Sequence, residues 1–156
     1  SDQPVGTRSW QPTSTVAFTP TEVSASATRL ASEVDRIAIG KWSEAFVKRR
    51  LTSQSNRFSS IEWVNEHEES MLPYDFRVIE NGVEKYIEVK GTPSSEKGEF
   101  YYSVAEWKWM FAHKDLYSIY RVFEAGEDTA YEVVIENPSE YLLRGELLPV
   151  PIVLTL

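Results

Sequence analysis

The chain contains no cysteine, which excludes a disulfide framework and any thiolate metal site and suits an intracellular protein. No apolar run is long enough to cross a bilayer, and the first residues lack the charged-then-apolar pattern of a secretory signal. A membrane is therefore not an expected partner. Basic residues are also scarce: 16 Lys and Arg against 24 Asp and Glu leave a formal charge of −8. Affinity for phosphate backbones rests mainly on basic side chains. A nucleic-acid partner would need a local basic patch, metal ions or another domain to supply the attraction. No Walker loop, nucleophile elbow, dinucleotide fingerprint or zinc-ligand spacing is present.

Aromatic residues, by contrast, are plentiful. Five Trp, eight Tyr and seven Phe in 156 residues describe one globular domain with a real core. Residues 1–27 stand apart, because they are rich in Ser, Thr and Pro and lack Leu and Ile. This stretch reads as a linker or extended arm leading into a domain at 28–156, with Trp10 and Phe18 able to pin it to that domain or dock it elsewhere.

Within the domain, Gly40, Glu44, Val47 and Leu51 recur at helical spacing and predict a helix over 34–51, with Glu44 on the core-facing stripe. Short strands are predicted at 61–64 and 100–102. Asn81-Gly82 between β-prone flanks predicts a two-residue hairpin loop joining strands at 76–79 and 83–89, since both loop residues need positive φ. Ser103 with Glu106 three residues on is a capping-box signature for a helix running to about His113. Strands at 116–123 and 131–135, a helical turn after Asn137-Pro138 and a terminal strand at 150–156 complete the pattern. The order implies an α/β fold, a mixed β-sheet flanked by helices.

The hairpin carries the chemistry. With Asn81 and Gly82 as the loop, partner numbers sum to a constant and Asp75 falls opposite Glu88, while alternation puts Glu88 and Lys90 on one face. Like charges placed opposite each other are unfavourable by roughly 0.2–1 kcal/mol unless a cation neutralises them. Magnesium takes one or two carboxylates and keeps several waters. Asp75 and Glu88 suit it as ligands, with the Val89 carbonyl as a third, Lys90 as a group that orients water or stabilises charge, and Glu44 approaching from the helix. Each residue also has an ordinary reading. Glu44 can pair with Lys48 along the helix, and an E-x-K strand is often a solvated face. Glu106 and Ser103 read first as caps, and Trp107 and Phe111 as core. His67 reads first as part of a solvated acidic loop and only second as a metal ligand, and His113 as complementing a helix C-terminus. Lys97, Lys108, Lys114 and Arg121 read as scattered surface cations or as a phosphate track.

Taken together, several segments resemble the NO VEIN C-terminal domain family, itself similar to the Mrr-like branch of the PD-(D/E)xK nucleases. They are Ile39 to Glu44, Trp63-Val64-Asn65, Leu72 to Asp75, Ile87 to Thr92, Phe100 to Ser103 and Glu106-Trp107. The resemblance covers the chain from about Ile37 onward. It implies a restriction-endonuclease-like core and a magnesium-dependent nuclease site, with manganese as a substitute. In that site Glu44 is the helix acid, Asp75 and Glu88 are the metal ligands and Lys90 is the catalytic lysine. Ser43 departs from the glycine that relatives often carry before the helix glutamate, and adds bulk near the site. The implied partners are nucleic acid, DNA ahead of RNA, and other domains of a longer polypeptide. The alternative is a catalytically silent nuclease-like module that scaffolds other proteins.

Overall fold

Helix α1 (Ala27–Ser53) is the first element of the computed structural model, which describes residues 27–150. The arm with Trp10 and Phe18, and all but the first residue of the expected terminal strand, lie outside the described residues. Five strands follow: β1 (Phe58–Trp63), β2 (Phe76–Glu80), β3 (Val83–Gly91), β4 (Tyr117–Phe123) and β5 (Tyr131–Glu136). Helix α2 (Val104–His113) and a 3-10 turn connect β3 to β4, and α3 (Pro138–Leu143) follows β5. The strands form a single mixed sheet in sequence order. Every neighbouring pair is antiparallel except β3 with β4. That parallel pair requires a crossover, and α2 provides it.

The hairpin register is the one that the Asn-Gly turn predicts. Asn81 and Gly82 have φ of 52° and 76°, and the ladder runs from Glu80↔Val83 to Phe76↔Ile87. Alternation then divides β3 between two cores. Ile87 and Val89 join Phe76, Val78, Tyr120 and Val122 against Val47 and Leu51 of α1. Tyr86 packs instead with the cluster of Met110, Tyr117, Ile119 and Ile135 beneath α2 and α3. The domain is thus three layers deep, and Glu88 and Lys90 lie on the α2 side.

Helix α1 is longer than the pattern predicts, and its buried stripe keeps Val47 and Leu51 but takes Ser43 in place of Glu44. Ser43, Val47 and Leu51 are almost fully buried, while Glu44 lies at the stripe's edge and Val34 and Ile37, nearer the N-terminus, are 65% and 63% exposed. The centre of the stripe meets β3 at Gly91. A Cβ built on Gly91 would lie 2.0 Å from Ser43 Oγ and 2.8 Å from Ser43 Cβ. The Ser43 hydroxyl donates to the Ile39 carbonyl at 2.7 Å. The bulk that Ser43 brings is therefore accommodated by the absence of a side chain at Gly91. Gly91→Ala is expected to destabilise the domain by about 1–3 kcal/mol, the usual range for overpacking. Thermal unfolding of Gly91→Ala alone and combined with Ser43→Gly checks this, and the double variant should recover most of the loss.

The strand expected at 100–102 does not form. The backbone just before it is held by a side chain: Arg121 Nη2 donates to the carbonyls of Lys97 and Glu99 at 2.7 and 3.0 Å, and Nη1 to that of Lys90 at 3.1 Å. The guanidinium lies 5.4 Å from the Phe100 ring and 5.2 Å from that of Phe123. Arg121 is 3% exposed, which rules it out of any surface phosphate track. Burial lowers its pKa to about 10, and its Nε is a buried donor without a partner among the described residues. Lys97, Lys108 and Lys114 are exposed.

Candidate acid–lysine site

Lys90 is the centre of the site. As the eighth residue of the nine-residue β3, it projects from the α2 side near the strand's end, where the crossover leaves the sheet. Its Nζ lies 2.8 Å from Glu88 Oε1 and 2.8 Å from Glu106 Oε2, and 5.0 Å from the Tyr102 ring. Lys90 and Glu106 side chains are 17% and 18% exposed, and that of Glu88 is 7% exposed. Burial alone would lower the Lys90 pKa, but Glu88 and Glu106 outweigh it and hold the ammonium above its ordinary value.

Glu106 does two jobs. The expected capping box is present, with Glu106 N–H donating to Ser103 Oγ at 3.1 Å and Ser103 N–H donating to Glu106 Oε2 at 3.0 Å. The same Oε2 accepts from Lys90. The cap reading is correct and incomplete. A signal for the second role exists in the chain order, because the helix after an E-x-K strand must return across that strand's end.

Asp75 sits one step beyond the hairpin ladder. Its expected direct opposition to Glu88 gives way to a shifted pairing in which Asp75 N–H donates to the Ile87 carbonyl at 2.9 Å. The Asp75 carbonyl is taken by Val64 N–H at 2.9 Å, which draws the chain toward β1. The Asp75 carboxylate accepts the Val89 N–H at 2.7 Å and Asn65 Nδ2 at 2.9 Å. Asn65, 3% exposed, is itself fixed by Ser70, whose N–H and hydroxyl both donate to its Oδ1. No sequence pattern points to Asn65 in this role.

Glu44 enters from α1. Its Oε2 accepts from Trp63 Nε1 at 2.6 Å and lies 3.9 Å from Lys41 Nζ. Lys48, its expected helical partner, instead donates to the Ile61 carbonyl at 3.4 Å. Trp63 reads in the sequence as strand and as part of a segment that carries the family resemblance, and neither reading assigns its indole N–H to Glu44.

These groups share one electrostatic environment. Burial, followed by the charge of Glu44, raises Asp75 to about 7. Burial and then Asp75 raise Glu88 well above the carboxylate range. Burial also raises Glu44, against the Trp63 hydrogen bond and the charges of Lys41 and Lys90. Two carboxylates, Glu88 and Glu106, thus pair with Lys90, and Asp75 and Glu44 feel its charge without contacting it, with Lys41 at the margin. Among the described residues no three acidic or histidine side chains stand ready in metal-ligand geometry. The carboxylates turn to Trp63, Asn65, Val89 and Lys90 instead. Their chemistry still fits a hard cation. All are oxygen donors, and Glu44 Oε1 and Glu88 Oε2 accept no hydrogen bond from the described residues. His67 takes no part, since its side chain is 89% exposed beside Glu66. His113 bonds the Trp109 carbonyl through Nδ1 at 2.8 Å and stacks on that indole.

Fold and site define a mixed-sheet α/β domain with a buried acid–lysine cluster where its central strand meets the crossover. The chain belongs to the NO VEIN C-terminal family, whose model matches residues 43–135, a span containing Glu44, Asp75, Glu88, Lys90 and Glu106. It is 39% identical to Protein NO VEIN-LIKE of Arabidopsis thaliana over 85 residues, 53% of this chain and 13% of that protein. It is 32% identical to Protein NO VEIN of the same plant over 110 residues, 69% of this chain and 4% of that protein. The chain therefore spans a small fraction of the length of these curated relatives. No solved structure matches it.

Proposed function

We propose that this domain is a divalent-cation-dependent nuclease module with a restriction-endonuclease-like core, hydrolysing phosphodiester bonds of nucleic acid, DNA ahead of RNA. The observation that carries the reading is the surplus of carboxylates that share one electrostatic environment with Lys90. An excess of buried acids is unfavourable unless protons or a cation neutralise it. Asp75, Glu88 and the Val89 carbonyl would hold magnesium, or manganese in its place, with Glu44 reaching it directly or through water. The ion would supply an activated water and neutralise charge on the phosphate. Lys90 then offers a fixed ammonium to the oxygen that gains charge as the phosphate reacts. The family relatives, far longer than this chain, support a module working beside other domains, which would provide the basic surface that a chain of charge −8 lacks.

Calorimetric titration with magnesium and manganese, paired with cleavage assays on labelled DNA and RNA, tests the reading. The wild-type chain should bind the ion and cut, and Glu88→Ala should lose both while retaining its fold. Equal cleavage by the variant would overturn the assignment.

A second reading is favoured by one observation: the Lys90 ammonium is already flanked by Glu88, Glu106 and the Tyr102 ring. A nuclease-like module that only scaffolds protein partners would keep such a closed cluster. Absence of both cation binding and cleavage in the wild-type chain would select it.

A further inference from the structure

Lys90 has two carboxylate partners of different kinds. Glu88 is its neighbour on β3 and one of the residues offered to a cation. Glu106 comes from the start of α2, 16 residues away in sequence, and its position is set by a separate structure, the capping box with Ser103. The box holds Glu106 Oε2 toward the sheet through the Ser103 amide, leaving that oxygen free to accept from Lys90 as well. The lysine is also confined on a third side by Tyr102, whose hydroxyl is tied to that of the fully buried Tyr117 at 2.9 Å. The crossover itself is fastened from below by Arg121, which grips the carbonyls of Lys97, Glu99 and Lys90.

We propose that Glu106 is the positioning residue for Lys90, able by itself to hold the ammonium in place when the Glu88 carboxylate is engaged elsewhere. The capped end of α2 is then a fixed post, and Glu88 is the exchangeable partner. A lysine held only by Glu88 would lose its anchor whenever that carboxylate turned to a cation, and its long side chain would regain its rotamer freedom. With Glu106 in place, cation binding at Glu88 and placement of Lys90 do not compete. The purpose given to Lys90 rests on the nuclease reading, whereas the anchoring is tested without cleavage.

The experiment follows the side-chain ammonium of Lys90 by proton–nitrogen correlation in the full chain, because a buried, paired ammonium exchanges slowly enough to give a signal. The signal, assigned by its loss in Lys90→Gln, should persist in Glu88→Gln, where Glu106 alone remains, and vanish in the Glu88→Gln/Glu106→Gln double variant. Gln at this helix position keeps the capping box, so the amide spectrum should remain folded throughout. Ser103→Ala added to Glu88→Gln removes the cap hydroxyl and should leave the signal. If the signal disappears in Glu88→Gln alone, or survives in the double variant, the proposal is overturned. As a second readout, Glu106→Gln should lower magnesium-dependent kcat at least about tenfold with little change in KM, the pattern of a group acting after substrate binds. A wild-type chain that neither binds the cation nor cuts would end the nuclease reading and leave the anchoring to be decided by the ammonium signal.

Discussion

Lys90→Met should abolish cation-dependent cleavage and lower stability together, the largest combined effect expected of any single substitution in this domain. Removing one preorganised donor from a developing charge typically costs about 10²–10³ in rate. Among the described residues the same group is also the only cation within hydrogen-bonding distance of Glu88 and Glu106. Leaving a buried charge without its partner destabilises by about 3–5 kcal/mol. Glu88 can limit that cost by taking up a proton, because burial and Asp75 already raise its pKa. Glu106 remains hydrogen-bonded to Ser103. The expected net loss is therefore roughly 2–3 kcal/mol, at or just below the lower end of that range. Denaturant unfolding of Lys90→Met, Glu88→Gln and the double variant measures the coupling. Lys90→Met should cost less in the Glu88→Gln background, because no carboxylate is then stranded on β3. Additive losses would mean that the 2.8 Å pair contributes nothing beyond its separate residues.

The second large effect is an inverted dependence of stability on pH. Most paired carboxylates have depressed pKa values, and the proteins that contain them lose stability as pH falls. Here the signs are reversed. Asp75 has a folded value of about 7, and an unfolded value near 3.9; Glu88 and Glu44 are raised as well. Between those two values the folded chain binds more protons than the unfolded chain, so stability must fall as pH rises through the window. A gap of one pH unit between the folded and unfolded values is equivalent to about 1.4 kcal/mol. In chelator-treated buffer the domain should lose roughly 3 kcal/mol between pH 5 and pH 8 from Asp75 alone. Saturating magnesium should flatten that slope by replacing the protons as the neutralising charge. Melting temperatures across this range, with chelator and with magnesium, test both halves. A melting temperature that rose from pH 5 to pH 8 in chelator would contradict the burial of these acids.

Both expectations depend on a site that is partly legible in the sequence. Glu88 and Lys90 share a face because strand side chains alternate, and β3 needs only its turn to be located. The turn is evident because Asn81 and Gly82 suit positive φ. The box at Ser103 and Glu106 is equally local, with donor and acceptor three residues apart. The exchange of Glu44 for Ser43 in the α1 stripe shows the limit of periodicity. Ser43 and Glu44 both lie at helical spacing from Gly40 and Val47, and which of them is buried depends on Gly91 of another element. The expected strand at 100–102 is absent for a similar reason. Its aromatic run has β propensity, but the backbone leading into it is fastened by a guanidinium more than 20 residues away, at the carbonyls of Lys97 and Glu99.

Local sequence is enough for the hairpin register, the capped crossover helix, the mixed α/β class and the acid and lysine positions near the end of β3. These follow from backbone geometry repeated over a few residues, which neighbours in the chain suffice to specify. Packing of distant elements settles the rest: Glu106 anchors Lys90, Asn65 and the Val89 amide hold Asp75, Trp63 binds Glu44, and Arg121 lies buried beneath the crossover. Each of these pairings joins groups that meet only when the sheet closes. The raised pKa values arise there too, because desolvation depends on what covers a carboxylate and not on the residues beside it in sequence.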